Sequence, residues 1–369
     1  MLRDKKVDFP LLLIVAILTI GGFFIFLSAS LGVTAQDKVK YSSIITKQIS
    51  FGLIGGTLAA IVISKLPFQI WRKYSIWIFG LSILAMLLVF IPGLGLTSGG
   101  ATRWLLIGPL SFQPSEILKI SYILFLATWI TTVGKKGIQT MKFGIIPFLI
   151  ISSLVALTTL LQKDTDTFLI MMSAGTAMLW VSGAKWKHIL LLALIGIIGL
   201  SALVIARPYI RERLMTFINP GEKSLSSSYQ IQQSLIAIGS GGFNGRGFGQ
   251  SLQKFNFLPE PIGDSVFAVA AEEFGFIGAF IIIILFGLFA WRGLRIAGNL
   301  PEGFGRLVVV GLVILITVQS FWNIGAMLGV VPLSGLPLLF ISHGGTALFF
   351  TLCAAGILLS ISRYQKSTD

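Results

Sequence analysis

His188-Ile-Leu-Leu-Leu-Ala-Leu-Ile-Gly-Ile-Ile-Gly-Leu-Ser-Ala-Leu-Val-Ile-Ala206 runs for nineteen residues without an Asp, Glu, Lys or Arg. An α-helix needs about 20 mostly apolar residues to cross the hydrocarbon of a bilayer, and this run meets that length. Similar runs recur on both sides of it. Ten candidate spans lie near 10–30, 49–66, 74–92, 114–133, 144–161, 167–183, 188–206, 266–291, 306–328 and 344–362. The second carries several glycines and the sixth is short. Of the 369 residues, 55% are hydrophobic and 11% charged, with a mean hydropathy of +0.90. Soluble domains carry about 25% charged residues. The expected fold is therefore all-α and polytopic, with about ten membrane helices. A soluble enzyme, a disordered chain and a secreted disulfide scaffold are excluded.

The first span follows Arg3, Lys5 and Lys6, as a signal peptide would. Its apolar run exceeds a usual signal h-region and nine further spans follow, so it reads as a retained anchor. The basic residues then set the orientation. With the N-terminus in the cytoplasm, short inner segments hold sixteen Lys and Arg, including Lys65, Arg72, Lys135, Lys136, Arg292 and Arg306. Short outer segments hold five: Lys38, Lys40, Lys47, Arg103 and Lys163. That bias places both termini in the cytoplasm. The net charge of +14 is scattered between apolar runs, which fits topology and anionic lipid better than nucleic acid. The lone Cys353 and two histidines, His188 and His343, offer neither a disulfide nor a convincing metal site.

One large segment lies outside the spans, from about 207 to 265, between helices 7 and 8 on the outer side. Loops beyond about 12–15 residues usually carry function. Ser226, Ser227 and Ser228 offer N-caps, and Ile231, Leu235 and Ile238 repeat at helical spacing, so part of it reads as helix. Gly239, Gly241, Gly242, Gly245, Gly247 and Gly249 end that helix and permit close backbone approach.

The fourteen acids sort by side. Asp4, Asp8, Glu302 and Asp369 read as solvated charges on the inner face. Glu272 and Glu273 lie about two turns into the eighth span, where ionisable groups are costly and either mark function or pair within the bundle. Phe257-Leu-Pro-Glu-Pro-Ile-Gly-Asp-Ser265 is a rigid approach that delivers Asp264 to the start of the eighth helix. Asp264 there is either an N-cap or a functional anion stabilised by the helix macrodipole. On the basic side, Lys47 begins the second span, Arg103 sits in a glycine-rich outer loop, and Lys119 lies about a turn inside the fourth span. Lys119 follows Glu116 by three residues, so the two share a helix face and pair, or the cations form a phosphate pocket at the outer surface. Lys47 also suits a snorkelling anchor.

Two connections are unusual. Residues 99–116 mix glycine, proline and aromatics, as a re-entrant or interfacial loop does. Residues 323–346 are apolar yet broken by Gly and Pro, and irregular backbone at membrane depth must be buried in protein or line a wet cavity. His343 in that segment reads as a hydrogen-bonded interface residue.

Together these segments resemble the SEDS family (shape, elongation, division and sporulation) of bacterial peptidoglycan polymerases. The likeness runs through Phe26-Leu-Ser-Ala-Ser30, Lys47-Gln48, Gly100-Ala-Thr-Arg-Trp104, Phe112-Gln-Pro-Ser-Glu116 and Tyr229-Gln-Ile-Gln-Gln-Ser234. It continues in Gly245-Arg-Gly-Phe-Gly249, Gln253-Lys-Phe255, Phe257-Leu-Pro-Glu260, Asp264 and Phe267-Ala-Val-Ala-Ala-Glu-Glu273. The final block departs from the family at Pro337-Leu-Leu-Phe340 and Ser342-His-Gly-Gly345, where Pro-Leu-Pro-Phe and Ser-Tyr-Gly-Gly are usual. Gly263-Asp-Ser-Val-Phe267 and the Gln253-Lys-Phe run are closer to the division-associated branch than to the elongation-type one.

The resemblance implies a glycosyltransferase that polymerises lipid II, the disaccharide-pentapeptide carried on undecaprenyl diphosphate. It implies that Asp264 is the general base on the acceptor 4-hydroxyl. Lys47, Arg103 and Lys119 are the candidates to steady the leaving diphosphate, and Glu260 to orient Asp264 or shape the pocket. A divalent cation, Mg or Mn, could share that work. The implied partner is a class B penicillin-binding protein, a transpeptidase, among other divisome proteins. The implied location is the inner (plasma) membrane at the division septum. Rival readings are a lipid II flippase or transporter, the elongation-type polymerase, and a scaffold that recruits a polymerase.

Overall fold

The computed structural model describes residues 6–34, 38–98, 101–108, 110–218, 227–301 and 303–366. Asp4, Asp37, Glu222, Glu302, Asp369 and the candidate cap Ser226 lie outside the described residues.

The chain folds as α1 (Phe9–Thr34), α2 (Lys38–Lys47), a π-helical turn at Gln48–Gly55, α3 (Gly56–Lys65) and α4 (Gln69–Leu88). Three strands follow: β1 (Gly95–Ser98), β2 (Ala101–Ile107) and β3 (Leu110–Phe112). Then come α5 (Pro114–Ile138), a π-helical turn at Met141–Ile145, α6 (Ile146–Leu161), α7 (Thr165–Val181) and α8 (Trp186–Ala206). The last helices are α9 (Pro208–Ile218), α10 (Ser227–Ser240), α11 (Val266–Gly298), α12 (Gly303–Met327) and α13 (Gly345–Ser362).

Among the described residues nine helices are long and apolar enough to span a membrane, and the 17-residue α7 is the short sixth span. Each of the ten expected stretches falls on a helix. α12 and α13 are the most enclosed, packed against α11, α7 and α5 and against α3 and the Gln48 turn respectively. α8 stands at the rim, where Ile197, Ile198 and Ile205 are exposed as a lipid-facing helix requires.

Two expectations are corrected. The 99–116 connection, expected as an irregular re-entrant or interfacial loop, is regular where described. Ala101–Ile107 and Leu110–Phe112 join Gly95–Ser98 in a three-stranded antiparallel sheet, with Leu105 paired to both Gly95 and Phe112, and Pro114 opens α5. The run Thr102-Arg-Trp-Leu-Leu-Ile107 alternates faces, burying Leu105 while leaving Leu106 exposed. Phe112 docks the sheet onto α13 by an edge contact to Phe350 at 5.7 Å. Asp8 is not a solvated charge: it is buried and takes a bidentate grip from Arg292, Nε at 2.9 Å and Nη2 at 2.6 Å. It also caps α1 by accepting from the Leu11 amide at 3.0 Å. Burial alone would raise its carboxyl, but the bonds from Arg292 and Leu11 prevail and hold it below the usual range.

Glu272 and Glu273 are ion-paired within the bundle. α11 breaks at Gly275 (φ 65°), which frees backbone groups inside the membrane. The glycine-rich loop after α10 takes them up: Arg246 N donates to Glu272 O at 3.0 Å, Gly247 N to Glu273 O at 2.9 Å, and Phe276 N to Gly242 O at 2.9 Å. Gly245 (φ 80°) and Gly275 meet so closely that a Cβ on either would strike the other's backbone. Below this seam Lys254 Nζ lies 2.7 Å from Glu273 and donates to Ser28 at 3.1 Å and the Gly249 carbonyl at 2.8 Å. Glu272 accepts from the Ser251 hydroxyl at 2.5 Å and the Leu252 amide at 3.0 Å. The carboxylates thus staple the loop that leads to Asp264 onto α1 and α11.

Candidate functional site

The loop from Phe257 to Ser265 folds on itself before α11 begins. Glu260 adopts a left-handed backbone (φ 46°), and its carbonyl accepts from Gly263 N at 3.0 Å and Ser265 N at 3.2 Å. Ser265 is the N-cap residue of α11; its hydroxyl bonds Pro259 O at 2.8 Å and receives Gln230 Nε2 at 2.9 Å. Asp264 is therefore not the cap. Among the described residues its carboxyl makes no hydrogen bond, whereas its backbone is fixed.

Asn323 of α12, the irregular 328–344 segment and Gln48 do the fixing. Asn323 Nδ2 donates to the carbonyls of Asp264 and Leu336, each at 2.8 Å. Ser342 Oγ donates to Gly263 O at 2.7 Å and accepts from Leu338 N at 2.8 Å. His343 N donates to Ile262 O at 2.6 Å. Gln48 completes the tie, donating to Ser342 O at 3.3 Å and accepting from Gly344 N at 3.1 Å. Broken backbone at this depth is satisfied by protein partners, and its other side lines a cavity.

That cavity measures about 990 Å³. Asp264, Glu260, Lys47, Arg103, Glu116 and His343 all contribute to its wall. Arg103 is held in place from behind, donating through Nε to Gln162 O at 3.2 Å and through Nη2 to Lys163 O. Four of the five sequence-nominated residues therefore share one chamber. Lys119 does not line it. It is buried behind the wall, 2.9 Å from Glu116, which does line the chamber, and 3.0 Å from Gln319 Oε1. The i to i+3 spacing made that pair the cheapest way to bury a lysine.

Burial pushes the Asp264 carboxyl up to about 7; the like charges of Glu260 and Asp166 add to the rise, and Arg213 and Arg103 oppose it. Arg213 escaped the sequence reading. α9 brings it to Asp166 at 2.7 Å, while Thr165 and Tyr209 bond at 2.8 Å to dock α9 on the start of α7. Gly335 leaves the space between Asp264 and Arg213: a Cβ there would lie 3.8 Å from Asp264 Oδ2 and 3.9 Å from Arg213 Nη2. The only signal in the sequence was an Arg on a short amphipathic helix, which many surfaces carry. Asp164 also faces the chamber, with Oδ2 buried and unpartnered among the described residues.

His343 stacks on Phe26 at 5.8 Å, and burial with Lys47 nearby pushes its imidazole down to about 4. It is neutral at pH 7. Among the described residues no three His, Cys, Asp or Glu side chains converge as a metal cage requires.

The chamber thus combines a carboxylate poised near neutral pH, an anchored Arg103 with Lys47 on the same wall, and room for a sugar-sized ligand at the end of a helix bundle. Comparison with known proteins covers nearly the whole chain. The family model FtsW/RodA/SpoVE, described as "Cell cycle protein", matches residues 9–367. Stage V sporulation protein E of Bacillus subtilis is 38% identical over 369 residues, covering 99% of this chain and 100% of that protein. The Saccharophagus degradans protein named Probable peptidoglycan glycosyltransferase FtsW is 37% identical over 353 residues, covering 94% and 90%. Among solved structures, a chain of a peptidoglycan synthase complex that coordinates polymerization and crosslinking superimposes with a TM-score of 0.77 at 27% identity, covering 97% of this chain and 98% of that one. The rod shape determining protein RodA of Thermus thermophilus superimposes with a TM-score of 0.70 at 26% identity, covering 98% of each chain. This chain belongs to the FtsW/RodA/SpoVE family of cell cycle proteins.

Proposed function

We propose that the protein is a peptidoglycan glycosyltransferase that joins lipid II units into glycan strands, and that Asp264 is its general base. The observation that carries the reading is an Asp264 carboxyl raised to about 7, without hydrogen bonds among the described residues, on the wall of a chamber that also holds Lys47 and Arg103. The acceptor's 4-hydroxyl oxygen attacks the anomeric carbon of the donor sugar. Its proton passes to Asp264 as the C–O bond to the diphosphate breaks. A base with a pKa near the working pH is best matched to that task and typically contributes about 10²–10⁴-fold. The departing diphosphate gains charge, which Lys47 and Arg103 stabilise across the chamber. Glu260, whose carboxylate lies against Gly263, keeps Asp264 basic by repulsion.

The curated relatives named FtsW, one of them 37% identical, support a septal role at the inner membrane. A class B penicillin-binding protein is the natural partner, since a structural neighbour belongs to a complex for polymerization and crosslinking. The test is to give purified protein, with and without that partner, lipid II and to separate the products on a gel. Long strands made by wild-type and lost in Asp264→Asn support the reading. Lipid II crossing liposomes without any polymer would favour a transporter instead.

A further inference from the structure

Three helices that reach the Asp264 chamber at one end meet again at the other. α5 begins beside Glu116 and ends at Ile138; α7 begins next to Asp164 and ends at Val181. α12 carries Asn323 at the Asp264 end and begins at Gly303. Their far ends enclose a second cavity of about 340 Å³, on the membrane face opposite Asp264. Its wall includes Lys135, Arg306, Thr131, Ser182, Gly183 and Gly303.

The cavity is cationic and preformed. The Lys135 stem lies across Gly183 (φ 93°), where an added Cβ would come within 3.0 Å of Lys135 Cε. Gln139 Nε2 holds the Gly183 carbonyl at 3.1 Å. Arg306 is anchored through Nε to Ala297 O at 3.2 Å and through Nη2 to Leu300 O at 3.3 Å. A guanidinium has five N–H donors, so three remain for a ligand. Among the described residues neither Lys135 nor Arg306 has a carboxylate within ion-pair distance, and no Asp or Glu lines the cavity. The N-terminus of the 25-residue α12 adds its positive end at Gly303. The Thr131 and Ser182 hydroxyls donate to Ala127 O at 2.6 Å and Leu179 O at 2.7 Å and so add polar lining but no free donor, while Ile130, Val181 and Leu307 give an apolar flank.

Lys135 and Arg306, both exposed and without an ion pair among the described residues, stand with a helix N-terminus beside apolar side chains at one end of three spans, an arrangement suited to an anion. Basic pockets between membrane helices bind acidic headgroups. We propose that this cavity binds the phosphate of an anionic phospholipid headgroup in the leaflet opposite Asp264.

The test uses full-length protein in vesicles of phosphatidylcholine with and without phosphatidylglycerol, and reads co-purified lipid by native mass spectrometry. Wild-type retains phosphatidylglycerol selectively. A basic residue near the surface is worth about 1 kcal/mol, so Lys135→Gln and Arg306→Gln each weaken retention about fivefold. Arg306 also caps α11, so Ser182→Leu, which fills the cavity and leaves its charge intact, is the companion variant and also loses the lipid. Equal phosphatidylglycerol retention by wild-type, Lys135→Gln and Ser182→Leu overturns the proposal. So does inorganic phosphate that displaces the lipid at equal concentration, because the ligand would then be a free anion.

Discussion

Asn323 holds Asp264 by its backbone: one side-chain amide donates to the carbonyls of Asp264 and Leu336, each at 2.8 Å. A single buried amide thereby joins the loop bearing the carboxylate to the irregular segment before α13, and leaves the carboxylate itself unencumbered.

Asn323→Ala therefore leaves two carbonyls without that donor. An unmet buried partner costs about 1–3 kcal/mol. The expected result is a folded protein with a lower thermal midpoint and a larger loss in kcat than in KM. The check is lipid II polymerisation rate beside melting in the same detergent. Unchanged kcat with normal melting would show that the tie does not position Asp264.

Polymerisation by wild-type rises with pH through about 7 and then levels, because Asp264 acts as the anion and burial first, then Glu260, raise its carboxyl to about 7. Glu260→Gln removes a like charge and moves the midpoint to lower pH. Arg213→Gln removes an opposite charge and moves it to higher pH. A midpoint fixed in both variants would disconnect these residues from the base. The same shift acts on stability with the opposite benefit. The native carboxyl keeps a proton that the unfolded chain releases near 3.8, so this group's contribution falls as pH rises from there through about 7.

The buried pair Lys254–Glu273, at 2.7 Å, staples the loop to α1 through Ser28. Removing one partner of a buried pair costs about 3–5 kcal/mol, whereas apolar replacement of both is often tolerated. Glu273→Leu alone is expected to collapse expression and monodispersity. Lys254→Met combined with Glu273→Leu is expected to recover much of both in fluorescence-detected size exclusion. A single variant as stable as wild-type would make the staple dispensable.

At the other face, the Asp8–Arg292 fork ties the start of α1 to α11. Asp8 sits below its ordinary range, so its contribution is full above about 4 and is lost as pH falls through the lowered native value. Asp8→Asn is expected to lower the melting temperature at pH 7 and to matter progressively less in acid. The check is melting of both proteins across that pH range.

The spans were legible because charge-free runs of membrane length have one cheap solution, a helix with its backbone bonded internally. Asp264, Lys47 and Arg103 stand out as rare polar residues at one face of an apolar chain, but position alone fits a cap for Asp264 and an interface anchor for Lys47; the catalytic role of Asp264 and any role for Glu260 come from the family resemblance. Arg213 could not be nominated, since its value comes from α9 folding back on Asp166. Asp8 was misjudged because its partner, Arg292, is 284 positions away. The 95–112 sheet was missed because a short strand run flanked by Gly and Pro also fits an irregular interfacial loop. The pairing of Leu105 with Gly95 and Phe112 that separates the two is tertiary.

The most direct measurement is lipid II polymerisation by purified Asp264→Asn beside wild-type, with partner present and equal folding verified by size exclusion. The account expects glycan strands from wild-type and a loss of about 10²-fold or more in the variant, the share a positioned base supplies. Strands made at the wild-type rate by Asp264→Asn would contradict it.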